Sequence, residues 1–176
     1  MEIPELLRPC GYTYPDGATW GQWGTAWGYH FDERGIWTKG QVLVDGVPKG
    51  QHGGYDIACP TGTTLVSPVN GYVMAAGWQN AEDQKQGYGL RVMIESESPV
   101  RKADGSMFRP ILTIGHFSEL WIQKGALVKR GLDIGLSGAT GNIRASASGN
   151  GAHLHAQLEI PGEYPRTPIQ FHWVTV

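Results

Sequence analysis

Charge is scarce in this chain. Asp, Glu, Lys and Arg make up 17% of its 176 residues, against the roughly 25% usual for soluble proteins. The few charges nearly cancel, leaving a formal net charge of −2, so the basic face that a nucleic-acid partner requires is absent. Long apolar runs are missing too, and none approaches the ~20 residues that span a bilayer as a helix. Two cysteines, Cys10 and Cys59, are too few for a disulfide-stapled scaffold, and free thiols are expected in preference to a bond between them. The opening MEIPELLRPCGYTYPDG has neither the basic start nor the apolar core of a secretory signal. The expectation is a cytoplasmic protein or one released by a route that needs no signal.

Glycine, by contrast, is abundant: 26 residues, roughly twice the usual ~7%. The glycines follow no three-residue period, which excludes collagen. Between residues 11 and 40 they alternate with tryptophan. Trp20, Trp23 and Trp27 are each followed by glycine, and Trp37 lies beyond them. A helix interior would lose about 1 kcal/mol at each of Gly21, Gly24 and Gly28 relative to Ala. Residues 1–40 therefore read as an extended, turn-rich arm. Its rings are expected to pack on the main body in preference to forming a stacking surface for a ligand, because each buries a large apolar area.

From residue 41 onward, short β-prone runs alternate with turn residues. Gln41–Val44 precedes Asp45-Gly46, a hairpin turn signal. Further strands are expected over 64–66, 71–75, 90–95, 109–116, 132–136 and 153–160, with the runs 90–95 and 109–116 as partners. Phe117–Gln123 is the one segment able to form a helical turn. No stretch keeps a 3.6-residue period for a dozen residues, so the expected fold is mainly β, an antiparallel sheet or barrel-like sandwich over 41–176.

Six histidines supply most of the possible chemistry, and three features involve four of them. His52 and Asp56 are separated by Gly53-Gly54-Tyr55. The glycines let the chain bend so that imidazole and carboxylate converge, and both are good zinc ligands. His153 and His155 stand two apart in a β-prone run, so both rings share one face while Leu154 turns to the other. His116 ends the run Ile111–Gly115. A single such histidine is more often structural, and His30 and His172 have no supporting context. Two histidines and a carboxylate leave zinc a fourth position for water, the composition of a catalytic site and not of a closed structural one. Cys59, three residues after Asp56, is read as a structural thiol and not as a ligand.

The order of motifs resembles the lysostaphin-type (LytM-domain) zinc endopeptidases of bacterial cell walls. The matching residues begin with His52-x-Gly54-x-Asp56-Ile57-Ala58-x-Pro60-x-Gly62-Thr63 and Ser67-Pro68-x-x-Gly71-x-Val73. They continue through Ile114-x-His116-Phe117-Ser118, Val128-Lys129-Arg130-Gly131-x-x-Ile134-Gly135 and Ser137-Gly138-x-Thr140-Gly141, and end at His153-Leu154-His155. Ile114 stands where the family usually has an aromatic residue. The resemblance covers about residues 50–160. It implies an antiparallel barrel-sandwich hybrid with a groove over one zinc ion, held by His52, Asp56 and His155. It makes His116 and His153 the catalytic pair. His153 is placed to take a proton from water, and His116 to steady the oxyanion or protonate the leaving amine, with the division between the two left open.

The implied partner is the peptide of peptidoglycan, at a stem cross-link or an interpeptide bridge, cut by a monomer with no membrane span. Action on the cell wall without a signal peptide points to a phage-type lysin, released by lysis or carried in the virion. Specificity is expected in the loops 79–88, 98–108 and 142–151. The principal alternative is a non-catalytic peptidoglycan-binding or activator module on the same fold, although all five site positions are intact. A lipoyl-type carrier lacks its turn lysine here. A serine hydrolase at Gly135-Leu136-Ser137-Gly138 lacks the G-x-S-x-G elbow, and the glycines of 138–141 lack the lysine of a phosphate-binding loop.

Overall fold

The computed structural model describes residues 4–7, 9, 30–31, 37–38, 43–44, 47–48, 54–143, 151–162, 167–169 and 171–174. Strands carry almost all of its order. They are β1 (Glu5–Leu7), β2 (His30–Phe31), β3 (Trp37–Thr38), β4 (Leu43–Val44), β5 (Val47–Pro48), β6 (Tyr55–Ala58), β7 (Thr64–Val66), β8 (Gly71–Trp78) and β9 (Leu90–Ser96). After these come β10 (Val100–Arg101), β11 (Met107–Phe108), β12 (Ile111–Leu120), β13 (Leu127–Val128), β14 (Asp133–Ser137), β15 (His153–Ile160), β16 (Thr167–Ile169) and β17 (His172–Val174). There is no helix among the described residues, and thus none long and apolar enough to cross a membrane. Trp20, Trp23 and Trp27, Cys10 and His52 lie outside the described residues.

Nine strands join in one antiparallel sheet centred on β12. One edge of β12 pairs with β9 along its length, from Ile111↔Glu95 to Phe117↔Leu90. The other edge changes partner midway. Ile111–Gly115 pairs with β15, from Glu159 to His155, and Phe117–Leu120 pairs with β14. The mainly β, antiparallel architecture expected from the sequence is the one observed.

Alternation decides what each face buries. On β15, Leu154, Ala156, Leu158 and Ile160 enter the apolar core with Leu112, Ile114, Val92, Ile94, Ile57 and Phe117. The odd-numbered residues His153, His155, Gln157 and Glu159 point the other way. Outside the main sheet, β1 pairs in parallel with β17, and Leu6 reaches the same core. The expected hairpin around Asp45-Gly46 is present as the pair Val44↔Val47.

Two expectations are corrected. Phe117–Gln123 forms no helical turn, because β12 continues to Leu120, with Phe117 fully buried and paired opposite Ser137. Burial and a waiting partner strand outweigh the local preference for a turn. The loop 98–108, expected at the groove, contains the β10–β11 hairpin. It joins the end of β9 to the start of β12, opposite the end where β12 reaches His116.

Candidate functional site

The partner change on β12 creates the site. β12 advances three positions, from Ile114 to Phe117, while β9 advances only two, from Val92 to Leu90, so the strand bulges by one residue. His116 sits in that bulge with φ of 67°, the single non-glycine residue at positive φ among those described. A side chain in this conformation carries a steric cost of roughly 1–2 kcal/mol. The surrounding bonds hold it there. Its N–H donates to the Tyr88 carbonyl at 2.8 Å, and its Nδ1 lies 2.7 Å from the Thr140 carbonyl oxygen. A carbonyl only accepts, so Nδ1 carries the proton.

His153 and His155 come from the neighbouring strand, and Asp56 from the strand beyond. The β15–β6 register sets His155 directly opposite Asp56 and His153 opposite Ala58, so the carboxylate meets both rings. His155 Nδ1 is 2.9 Å from Asp56 Oδ1, and His153 Nε2 is 3.7 Å from the same oxygen. His153 Nδ1 donates to the Gly151 carbonyl at 2.7 Å. The His116 and His153 rings meet edge to face at 4.6 Å, and His116 and His155 are 6.1 Å apart. Burial, followed by the neighbouring His153 and His155 rings, pushes the pKa of His116 down to about 3. The ring is neutral at neutral pH, with its Nε2 lone pair bare.

The bonds around His155 test whether these residues suit a metal ion. Gln157 donates its Nε2 to the Glu159 carboxylate at 2.6 Å, so its Oε1 must face the other way. That oxygen accepts from Tyr88 Oη at 2.9 Å and lies 3.2 Å from His155 Nε2. With the His155 proton on Nε2, Nδ1 presents a lone pair to a carboxylate oxygen, and two acceptors facing each other require a cation or a proton between them. Imidazole and carboxylate are ligands that suit zinc. Among the described residues these two donors are not completed by a third into a metal set. Gly54, two residues after His52 in the chain, packs against the ring. A Cβ there would lie 2.6 Å from His155 Nε2 and 2.4 Å from the Ala156 carbonyl oxygen.

Four of the five residues singled out in the sequence, Asp56, His116, His153 and His155, thus converge, and His52 lies outside the described residues. His30 and His172 fall in β2 and β17. Sequence reasoning quoted Thr140 only within the Ser137–Gly141 match, without a role, and missed Tyr88, Gly151 and Gln157. Of these three only Gln157 left a readable signal, as the next residue on the His153–His155 face.

The Peptidase family M23 profile matches residues 50–167. No curated protein matches the chain. Among solved structures, a zinc-containing peptidase from Vibrio cholerae is 27% identical, with 80% of this chain covered and a TM-score of 0.53. This chain spans only 35% of that protein's length. The catalytic domain of the antimicrobial peptidase lysostaphin from Staphylococcus simulans is 25% identical, with coverage of 81% of this chain and 87% of that domain and a TM-score of 0.52. The catalytic domain of a prophage-encoded M23 protein from Enterococcus faecalis shares the fold, at 23% identity, coverage of 82% and 95%, and a TM-score of 0.51. A profile match over most of the chain, on a fold shared with lysostaphin, shows that the chain belongs to peptidase family M23, the family of the lysostaphin-type peptidases.

Proposed function

We propose that this chain is a zinc-dependent endopeptidase that hydrolyses a peptide bond of bacterial peptidoglycan, in the stem cross-link or the interpeptide bridge. The observation that carries the reading is His155 Nδ1 held 2.9 Å from the Asp56 carboxylate, beside two further imidazoles. His52, Asp56 and His155 would hold one zinc ion. Bound there, it supplies Lewis acidity to the scissile carbonyl and to water. His153, its Nδ1 proton committed to Gly151, offers Nε2 beside Asp56 to accept a proton from the attacking water. His116, its Nδ1 proton committed to Thr140, offers a second bare Nε2. A neutral ring in this tautomer cannot donate from Nε2 at the outset, so either ring protonates the leaving amine with a proton gained during the reaction.

On this reading residues 41–176 form the catalytic domain, acting as a monomer on the cell wall, and residues 1–40 form an arm laid on it. The burial of Leu6 in the core supports that placement. As a phage-type lysin, the protein should lower the turbidity of washed cells of a susceptible species when added from outside.

The decisive measurement is mass spectrometry of fragments released from purified sacculi of several peptidoglycan chemotypes, with and without a zinc chelator. Chelator-sensitive fragments bearing new amino termini are expected, and they name the bond. Asp56→Ala and His155→Ala should lose zinc and activity together. His116→Ala and His153→Ala should retain zinc while turnover falls by roughly 10²–10⁴-fold, the usual contribution of a positioned acid or base. Zinc bound with no release from any chemotype would favour a binding module. Full activity of His116→Ala would remove it from the reacting pair.

A further inference from the structure

The polar face of β15 is buried well beyond the histidines. His155, Gln157 and Glu159 are 3%, 7% and 3% exposed. A buried polar side chain is costly unless it is hydrogen-bonded, and apolar residues would fill this face at less cost. The three are instead linked in series up one face of the strand, each two residues from the next. Glu159 accepts from the Gln157 amide nitrogen, and the Gln157 oxygen faces His155 Nε2.

An amide has two unlike ends. Turned over, Gln157 would set its oxygen against the Glu159 carboxylate, losing that bond, and would set its NH2 against His155 Nε2, where a donor suits only the opposite tautomer with Nε2 unprotonated. It would also lose the bond from Tyr88 Oη, which donates to the same Oε1. Glu159 and Tyr88 therefore determine which end of Gln157 meets the imidazole. That end, an acceptor, determines which ring nitrogen carries the proton. Tyr88 closes the arrangement from the loop side, its ring 5.1 Å from that of His155 and its carbonyl oxygen bonded to the His116 N–H.

We infer that Gln157 is a positioning residue, oriented by Glu159 and Tyr88, that keeps the His155 proton on Nε2 and so turns Nδ1 toward the metal position beside Asp56. Outer partners of this kind fix the tautomer and orientation of ligating histidines. The inference deepens the zinc reading above and rests on it.

The test is zinc affinity of the full chain, measured by competition with a chromophoric chelator. Long-range ¹H–¹⁵N correlation spectra of the chelator-treated, zinc-free protein then report the His155 tautomer, which bound zinc would otherwise fix by itself. Gln157→Leu, which removes the acceptor at similar volume, is expected to weaken zinc binding by roughly 10- to 100-fold and to lose the uniform Nε2–H signature. The exchange Gln157→Glu with Glu159→Gln restores an acceptor toward His155 and a donor behind it, and is expected to recover most of the affinity. Zinc affinity and tautomer unchanged in a folded Gln157→Leu would overturn the inference, as would an exchange variant no better than Gln157→Leu. If Gln157→Leu does not fold, Tyr88→Phe decides in its place. Weaker zinc binding supports the inference, and wild-type affinity with an unchanged tautomer overturns it. Wild-type protein that binds no zinc at all would instead defeat the underlying zinc reading, so the two failures are distinct.

Discussion

His116 combines an unfavourable backbone conformation, near-complete burial and two imidazole neighbours, and these have a measurable consequence for stability. The ring resists protonation until about pH 3 in the folded protein, against an ordinary histidine value of 6.5. Between those values the unfolded chain binds a proton that the native ring does not. Stability from this group is therefore complete above about pH 6.5 and is lost as the pH falls toward 3. The slope from one group cannot exceed about 1.4 kcal/mol per pH unit. Chemical denaturation of the chelator-treated protein between pH 7 and 4.5 should show a steeper loss for wild type than for His116→Gln. Parallel curves for the two would mean that the ring is protonated well above pH 3 in the native state. The residue types of this site were legible in the sequence, because the spacings around His52, Asp56, His153 and His155 restrict which side chains can share a face. The positive φ of His116 was not, since it arises where two partner strands compete for one edge of β12.

At the scale of elements, two loops are locked together above His116. Thr140 Oγ1 donates to the Phe117 carbonyl and accepts from the Leu90 N–H, while the N–H groups of Gly141 and Asn142 donate to the Gln84 and Gly87 carbonyls. Gly141, at φ of 85°, leaves no room for a side chain: a Cβ would lie 2.4 Å from Gly89 N and 2.5 Å from Gly87 O. Gly141→Ala must part the two loops and shift the Thr140 carbonyl that holds His116. Its expected signature is a loss of turnover larger than its loss of zinc affinity, read by assaying both on one preparation. Strand positions were readable from alternation, as the runs 64–66 and 153–160 show. The continuation of β12 to Leu120 was hidden because Ser118 and Glu119 are exposed and polar, and only the pairing with β14 reveals it. The Tyr88–Gln157 contact joins residues 69 apart in the chain, a separation that no local pattern reports.

For the whole molecule, the first and last described strands close on each other. Glu5–Leu7 lies parallel to His172–Val174, and the Leu7 N–H also donates to the Pro68 carbonyl at 3.0 Å. Leu6 is 3% exposed within the common core, so Leu6→Ala should cost about 2–5 kcal/mol, the usual range for a buried leucine. Calorimetry should record a fall of roughly 4–20 °C in Tm, at about 2–4 °C per kcal/mol for a chain of this size. A negligible shift would mean that the opening segment lies outside the cooperative unit. Composition and turn spacing made the β class legible. The pairing of chain ends was not, because nothing local in Glu5–Leu7 names a partner near the end of the chain.

The division of β15 into an apolar row and a polar row also sets which genetic changes the chain survives. Replacing one residue disturbs one row at one place. A single added codon ahead of His153 would be different, unless the adjoining loop absorbed the extra length. It would move every following side chain to the opposite face, driving two imidazoles, an amide and a carboxylate into the apolar interior and leaving leucines where the imidazoles belong. Length variation among descendants of this chain should therefore collect on either side of this strand and avoid its eight residues.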